Sequence, residues 1–288
     1  MKKLFMILFV SMLVAITFAE DDVVVKWKNG GQGALQFSQA ALKNWTAGGE
    51  NALSLNTFLN YFMNYKYEKM SWENNLDLGY GLQFREGVSQ KTDDKIDFSS
   101  TFAYSASKNW NYTGMISFKT QMTKGYADTV LLSTFMAPAY MLVSAGMKYA
   151  PSESFSVLIS PVTGKMTIVS DPVLSAAGSF GVPAGNTVRA EMGAFIKIAF
   201  KKELFKNVNF QTKCELFSNY FNNPQFIDVN WDVLFAMKIN EYLSANISTQ
   251  LIYDHDINIK HETADGRIVT GPAVQFKEMF TFGLSYKF

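Results

Sequence analysis

"LSLNTFLNYFMNYKYE", Leu53 to Glu68, carries two periods at once, and which of them is real decides the fold. Asn56, Asn60 and Asn64 recur every fourth residue, as the polar stripe of a helix does. Leu53, Leu55, Leu59, Tyr61, Met63, Tyr65 and Tyr67 fall on every second residue, interrupted only by Thr57. A strand sends alternate side chains to opposite faces, whereas a helix scatters such a set around its axis.

The period of two recurs along the chain. In "SWENNLDLGYGLQFRE" Trp72, Leu76, Leu78, Tyr80, Leu82 and Phe84 alternate with Glu73, Asn75, Asp77, Gly79, Gly81, Gln83 and Arg85. "VRAEMGAFIKIAFK" sets Val188, Met192, Ile196, Ile198 and Phe200 opposite Arg189, Glu191, Lys197 and Lys201. "FIDVNWDVLFAMKI" sets Ile227, Val229, Trp231, Val233, Phe235, Met237 and Ile239 opposite Asp228, Asn230, Asp232 and Lys238. Strand is the reading that holds throughout, and the Asn ladder is part of one polar face.

These segments are longer than the roughly 5–6 residues usual for soluble strands. One face is aromatic: the chain holds 25 Phe, 13 Tyr and 5 Trp against 7 Pro, so greasy and polar side chains must be finely interleaved. A strand crossing a bilayer needs roughly 9–11 residues of apolar-out, polar-in alternation with aromatic girdles. Lipid leaves no partner for an open sheet edge, so the sheet must close. The fold class expected is all-β: an antiparallel transmembrane β-barrel of outer-membrane type.

The N-terminus reads as an export signal over residues 1–19: Lys2 and Lys3, an apolar run from Leu4 to Ile16, then Thr17-Phe18-Ala19 before acidic residues. Export and the barrel pattern together place the expected product in the outer membrane, among its lipids. A net charge of +1, from 26 basic and 25 acidic residues, argues against a nucleic-acid partner. The single Cys214 forms no intramolecular disulfide and reads as a small apolar side chain within a strand.

Short connections near Lys69, Lys108-Asn109, Pro151-Ser152, Leu204 and Asn240-Glu241 alternate with longer ones. The longer ones are expected at residues 87–94, 123–137, 169–186, 222–224 and 257–272. Eleven strands follow from Leu53 to Phe288, assigned to a barrel over 51–288. Segment 20–50 supplies either a first strand, Gly33 to Leu42, or an inward plug. The strand gives about twelve in all, the even count that single-chain barrels favour. Three places misfit: Glu278 on the apolar register, the break around Pro161 and Gly164, and Tyr140 to Tyr149, apolar on both faces.

The polar register nominates lumen-facing charges: Asp77, Arg85, Asp97, Lys119, Arg189, Glu191, Lys197, Lys213, Glu215, Asp228, Asp232, Lys238 and Lys277. They tune a watery passage for small polar solutes, or they pair and fill the lumen, because unpaired buried charges are costly. Inward Phe58, Phe62, Phe195 and Phe217 line a solute site or pack against the N-terminal segment. Asp254 and Asp256 share a face in "YDHDI" and form a weak candidate for a divalent cation, with a solvated acidic strand end as the plainer reading. His255 and His261 are the only histidines, and no motif marks a nucleophile beside either, so neither an enzyme nor a cofactor is expected.

"FSQAALKNWTAGGEN", "SPVTGKMTIV", "LIYDHDI" and "VQFKEMFTFGLSYKF" together resemble an uncharacterised Bacteroidetes family, known as a domain of unknown function. The resemblance implies an outer-membrane barrel and no activity; it places an Asp where His255 stands. The closing run Phe280, Phe282, Leu284, Tyr286 and Phe288 resembles the signal read by the barrel-assembly machinery. A porin-like channel is the leading expectation. Its alternatives are a closed barrel whose long loops engage another envelope protein and, behind both, a lipid-modifying hydrolase.

Overall fold

The computed structural model describes residues 26–40, 52–85, 88–127, 129–263 and 266–288. The proposed leader at 1–19 and the last two residues of the expected first strand, Ala41 and Leu42, lie outside the described residues. In chain order the strands are β1 (Trp27–Ala40), β2 (Ala52–Tyr67), β3 (Met70–Arg85), β4 (Val88–Ser105), β5 (Trp110–Thr120) and β6 (Gly125–Ala127). Next come β7 (Val130–Ser133), β8 (Ala139–Ser152), β9 (Phe155–Ile168), β10 (Val188–Phe205) and β11 (Val208–Asn219). The series ends with β12 (Ile227–Lys238), β13 (Leu243–Tyr253), β14 (Ile259–Glu262), β15 (Ile268–Gly271) and β16 (Gln275–Lys287).

Twelve of these close one antiparallel ring in the order β1-β16-β13-β12-β11-β10-β9-β8-β5-β4-β3-β2. The pairs β6–β7 and β14–β15 are separate two-stranded hairpins. Closure answers the backbone problem that lipid poses, since each wall strand has a neighbour on both sides. Outside lie Leu55, Trp72, Phe84, Phe102, Tyr112, Trp231, Phe276 and Phe280, all exposed. An aromatic, apolar outer face on a closed ladder makes this a transmembrane barrel.

The ladder fixes the register that the sequence left open. Lys119 pairs with Tyr140, Met115 with Ser144 and Asn111 with Lys148, which puts Tyr140, Leu142, Ser144 and Lys148 inside. Around Pro161 the register shifts against both neighbours, between Ala145 and Met147 on β8 and between Gly193 and Phe195 on β10. A bulge there lets a proline stay in the wall and restores alternation at Thr163. Glu278 keeps the apolar register near the loop end of β16, and no bulge shifts it, because β13 and β16 pair without interruption from Leu243–Leu284 to Ile252–Gln275. It points outward between Phe276 and Phe280.

One end of the barrel holds the tight turns, the other the long connections. Residues 88–94, expected within a loop, belong to β4. The 121–138 connection contains the β6–β7 hairpin, and the 254–274 connection contains β14–β15. The 169–187 connection holds a one-turn helix, Pro172–Ala176, whose Asp171 side chain accepts from Val173 N and Leu174 N. Ala137, Val169, Leu174 and Val182 form a small buried core under these loops. Gly181, at φ 72°, takes a backbone conformation that side chains rarely adopt, and a Cβ there would lie 2.9 Å from the Asp256 carbonyl oxygen.

Candidate functional site in the barrel lumen

Direct cross-strand partners share a face. The row Asn60–Asp77–Asp97–Lys119–Tyr140–Thr167–Arg189 is therefore continuous on the inner wall from β2 to β10. A second row, Lys213–Asp232–Gln250–Lys277, runs from β11 to β16. Within the rows Asp97 faces Lys119 and Lys213 faces Asp232, and closure brings the rows face to face.

The resulting ion pairs cross the lumen. Lys119 Nζ on β5 lies 2.5 Å from Glu215 Oε2 on β11, with β8, β9 and β10 between them in the ring. Lys213 Nζ reaches Asp97 Oδ2 on β4 at 3.4 Å and its neighbour Asp232 at 3.5 Å. Lys277 Nζ on β16 contacts Asp93 Oδ1 on β4 at 2.6 Å. Lys148 and Glu73 join β8 to β3 at 2.9 Å. Towards the loops, Lys165 Nζ holds Asp228 at 2.6 Å, Asp254 at 3.3 Å and Glu191 at 3.8 Å. Arg189 bridges Glu191 at 2.7 Å and Asp256 at 3.2 Å. Asp97, Glu191 and Asp254 are all buried. A buried carboxylate costs several kcal/mol unless paired, and each of these has its cation.

An apolar wedge fills the wall beside this lattice. Met115, Leu158, Phe195 and Phe217 are buried together inside the barrel, with Leu142 packed on them. Lys197 projects from the same wall, its Nζ 3.7 Å from Glu215 Oε1 and 3.9 Å from Met115 Sδ. What stays open is a cavity of about 490 Å³ that reaches from Gln121, Pro138 and Ile257 at the loop end to Asp97, Lys119 and Glu215.

A family model described as "Protein of unknown function (DUF3078)" matches residues 37–126. No curated protein matches the chain. Among solved structures, the translocator domain of the autotransporter NalP from Neisseria meningitidis is 10% identical, covering 93% of this chain and 90% of its own, at a TM-score of 0.40. The COG4313 outer membrane channel from Pseudomonas putida F1 is 12% identical, covering 94% and 99%, at a TM-score of 0.41. At those values the fold assignment stands on the closed ladder and its apolar exterior.

The nominated residues divide by position. Asp97, Lys119, Arg189, Glu191, Lys197, Lys213, Glu215, Asp228, Asp232 and Lys277 all enter the lattice. Asp77 lies inside and accepts from Asn60 Nδ2 at 2.6 Å. Arg85 and Lys238 sit at opposite ends of the wall, both exposed. Asp254 and Asp256 do not converge on a cation position; lysine and arginine hold them. Among the described residues no group of three His, Cys, Asp or Glu could hold a metal ion. His255 stacks on Phe226 at 3.6 Å between ring centroids, its Nδ1 3.3 Å from Tyr253 Oη. Cys214 opposes Trp231 on the outer face.

Lys165 and Asp93 escaped the sequence reading. Asp93 falls in the span 87–94 that reads as a loop but belongs to β4, and Lys165 follows the Pro161 bulge, which hides its register. The signal was present: Thr163, Lys165 and Thr167 alternate with Gly164, Met166 and Ile168.

Proposed function

We propose that the protein is an outer-membrane barrel that passes small polar solutes through a lumen closed at rest. A solute enters the cavity at the loop end and meets the lattice of Asp97, Lys119, Lys213 and Glu215. Passage needs that lattice to part. The observation that carries this reading is the set of ion pairs crossing the lumen between strands three to five places removed in the ring. A wide, permanently open pore of the porin kind fits poorly with such a crossing and with the packed wedge beside it. The reading is non-enzymatic, and its partners are outer-membrane lipid and the assembly machinery. The wedge also favours a second reading, a closed barrel that serves by binding another envelope protein through its loops.

Conductance of the refolded barrel in a planar bilayer separates these. The diagnostic variant is Lys213→Ala with Glu215→Ala. It removes the β11 charges but leaves Asp97 and Lys119, direct cross-strand partners, to pair with each other. Wild type should be nearly silent and the double variant should carry a steady current. Steady, large current through wild type would mean an open porin. Silence in both, with a folded barrel confirmed by heat-dependent gel mobility, would leave the binding reading. Fractionation of the expressing cell tests the outer-membrane placement separately.

A further inference from the structure

We propose that the turn end of the barrel is a binding surface for anionic phospholipid headgroups. The inference rests on the barrel crossing a membrane and is independent of whether its lumen conducts.

The aromatic girdle at that end marks the depth of the interface. Trp27 lies 5.0 Å from Tyr65 and 5.9 Å from Trp72, ring centroid to centroid, on the outer wall of β1, β2 and β3. Such rings settle at headgroup level. Immediately beyond them Lys26 and Lys69 are exposed, with Glu68 as the one exposed acid between them. Lys26 Nζ sits 4.0 Å over the Tyr67 ring, so its stem runs along the girdle while the charge stays at the surface.

The pattern repeats on the far side of the ring at the β10–β11 turn. There Lys202 and Lys206 are exposed with only Glu203 to balance them. Leu204 and Phe205 stand exposed between these charges, Phe205 at 72%. An apolar tip between lysines suits an interface where acyl chain meets phosphate and suits bulk water badly. Two separate clusters, each with a surplus of lysine beside apolar or aromatic side chains, fit a plane of negative charge. An acidic protein partner would need only one such patch.

The girdle supplies its own reporter. In a background with Trp45, Trp110 and Trp231 replaced by phenylalanine, the emission comes from Trp27 and Trp72, next to the first cluster. The full barrel is refolded into phosphatidylcholine vesicles containing phosphatidylglycerol, with bromine on the acyl chains of one lipid or the other. At low salt, brominated phosphatidylglycerol should quench about twofold better, mole for mole, because a polybasic surface enriches anionic lipid around it. That preference should vanish near ~1 M salt, where the screening length falls to about 3 Å. It should also vanish in Lys26→Gln with Lys69→Gln, and persist when the same two become arginine. Heat-dependent gel mobility confirms that each variant is folded. Equal quenching by the two lipids in the starting protein, or a preference that survives the glutamine changes, overturns the proposal.

Discussion

Glu215 is the hub on which most of the lumen depends. Its carboxylate takes Lys119 and Lys197 and accepts from Asn230 Nδ2 at 3.3 Å. Glu215→Gln takes the carboxylate from Lys197 and leaves Lys119 with its cross-strand partner Asp97 alone. Breaking a buried pair from one side costs about 3–5 kcal/mol, so the urea midpoint followed by tryptophan emission should drop clearly. Lys277→Gln makes the contrast, since its side chain is 40% exposed. A pair so open to water is worth about 1 kcal/mol or less, and the midpoint should barely move. Equal losses from the two variants would mean that the lumen is wet throughout and that Glu215 is not buried in the folded state. At this scale the sequence is a good guide to which face a charge occupies, because parity along a strand is local. It says nothing of the partner: Lys119 and Glu215 are far apart in sequence and meet only through closure.

Elements show where local reasoning stops. Strand existence is legible from alternation, yet β6, β7, β14 and β15 are only three or four residues long, too short to display a period. What holds the first of these hairpins is a side chain on β4. Asp94 accepts from Met122 N at 2.7 Å, Thr123 N at 2.9 Å and Lys91 Nζ at 2.9 Å. Asp94→Ala removes these bonds and a fourth from Thr123 Oγ1 at 2.8 Å, and should release the β5–β6 connection. Trypsin should then cut after Lys124 several-fold faster while the barrel keeps its heat-dependent mobility; an unchanged cleavage rate would show that the buried loop core alone holds the hairpin. Glycine matters at the strand scale too. A Cβ on Gly283 would lie 2.2 Å from the Leu35 carbonyl oxygen, whereas one on Gly33 meets nothing within 4 Å. Gly283→Val should therefore prevent β1 from closing on β16 and abolish the folded gel species, and Gly33→Val should leave it intact.

For the whole molecule the weak point is the seam between the chain's first and last wall strands. β1 and β16 share five pairs, Gln32–Lys287 to Gln36–Gly283, while every other junction in the ring has ten or more. Phe288 extends it, its N–H donating to Gly31 O at 3.0 Å and its carbonyl accepting from Gly31 N at 2.9 Å. Alternation can announce both strands, but nothing local to either shows how few bonds will join them. Unfolding should begin here, because these few bonds hold the ends of a ring some 250 residues around. Leu35 and Leu284 are direct partners across this seam, and Leu59 and Leu78 are direct partners across β2–β3. With Cys214 changed to serine, a disulfide replacing the first pair closes the long loop, and one replacing the second closes a short hairpin. Loop-closure entropy alone gives about 5 kcal/mol for the long loop against about 3 kcal/mol for the hairpin. If opening starts at the seam, the Leu35–Leu284 staple should also slow unfolding in urea by far more than its equilibrium advantage implies. The hairpin staple should leave that rate nearly unchanged, because β2 and β3 stay paired until the ring has already opened. Equal slowing by the two staples would place the first opening elsewhere in the wall.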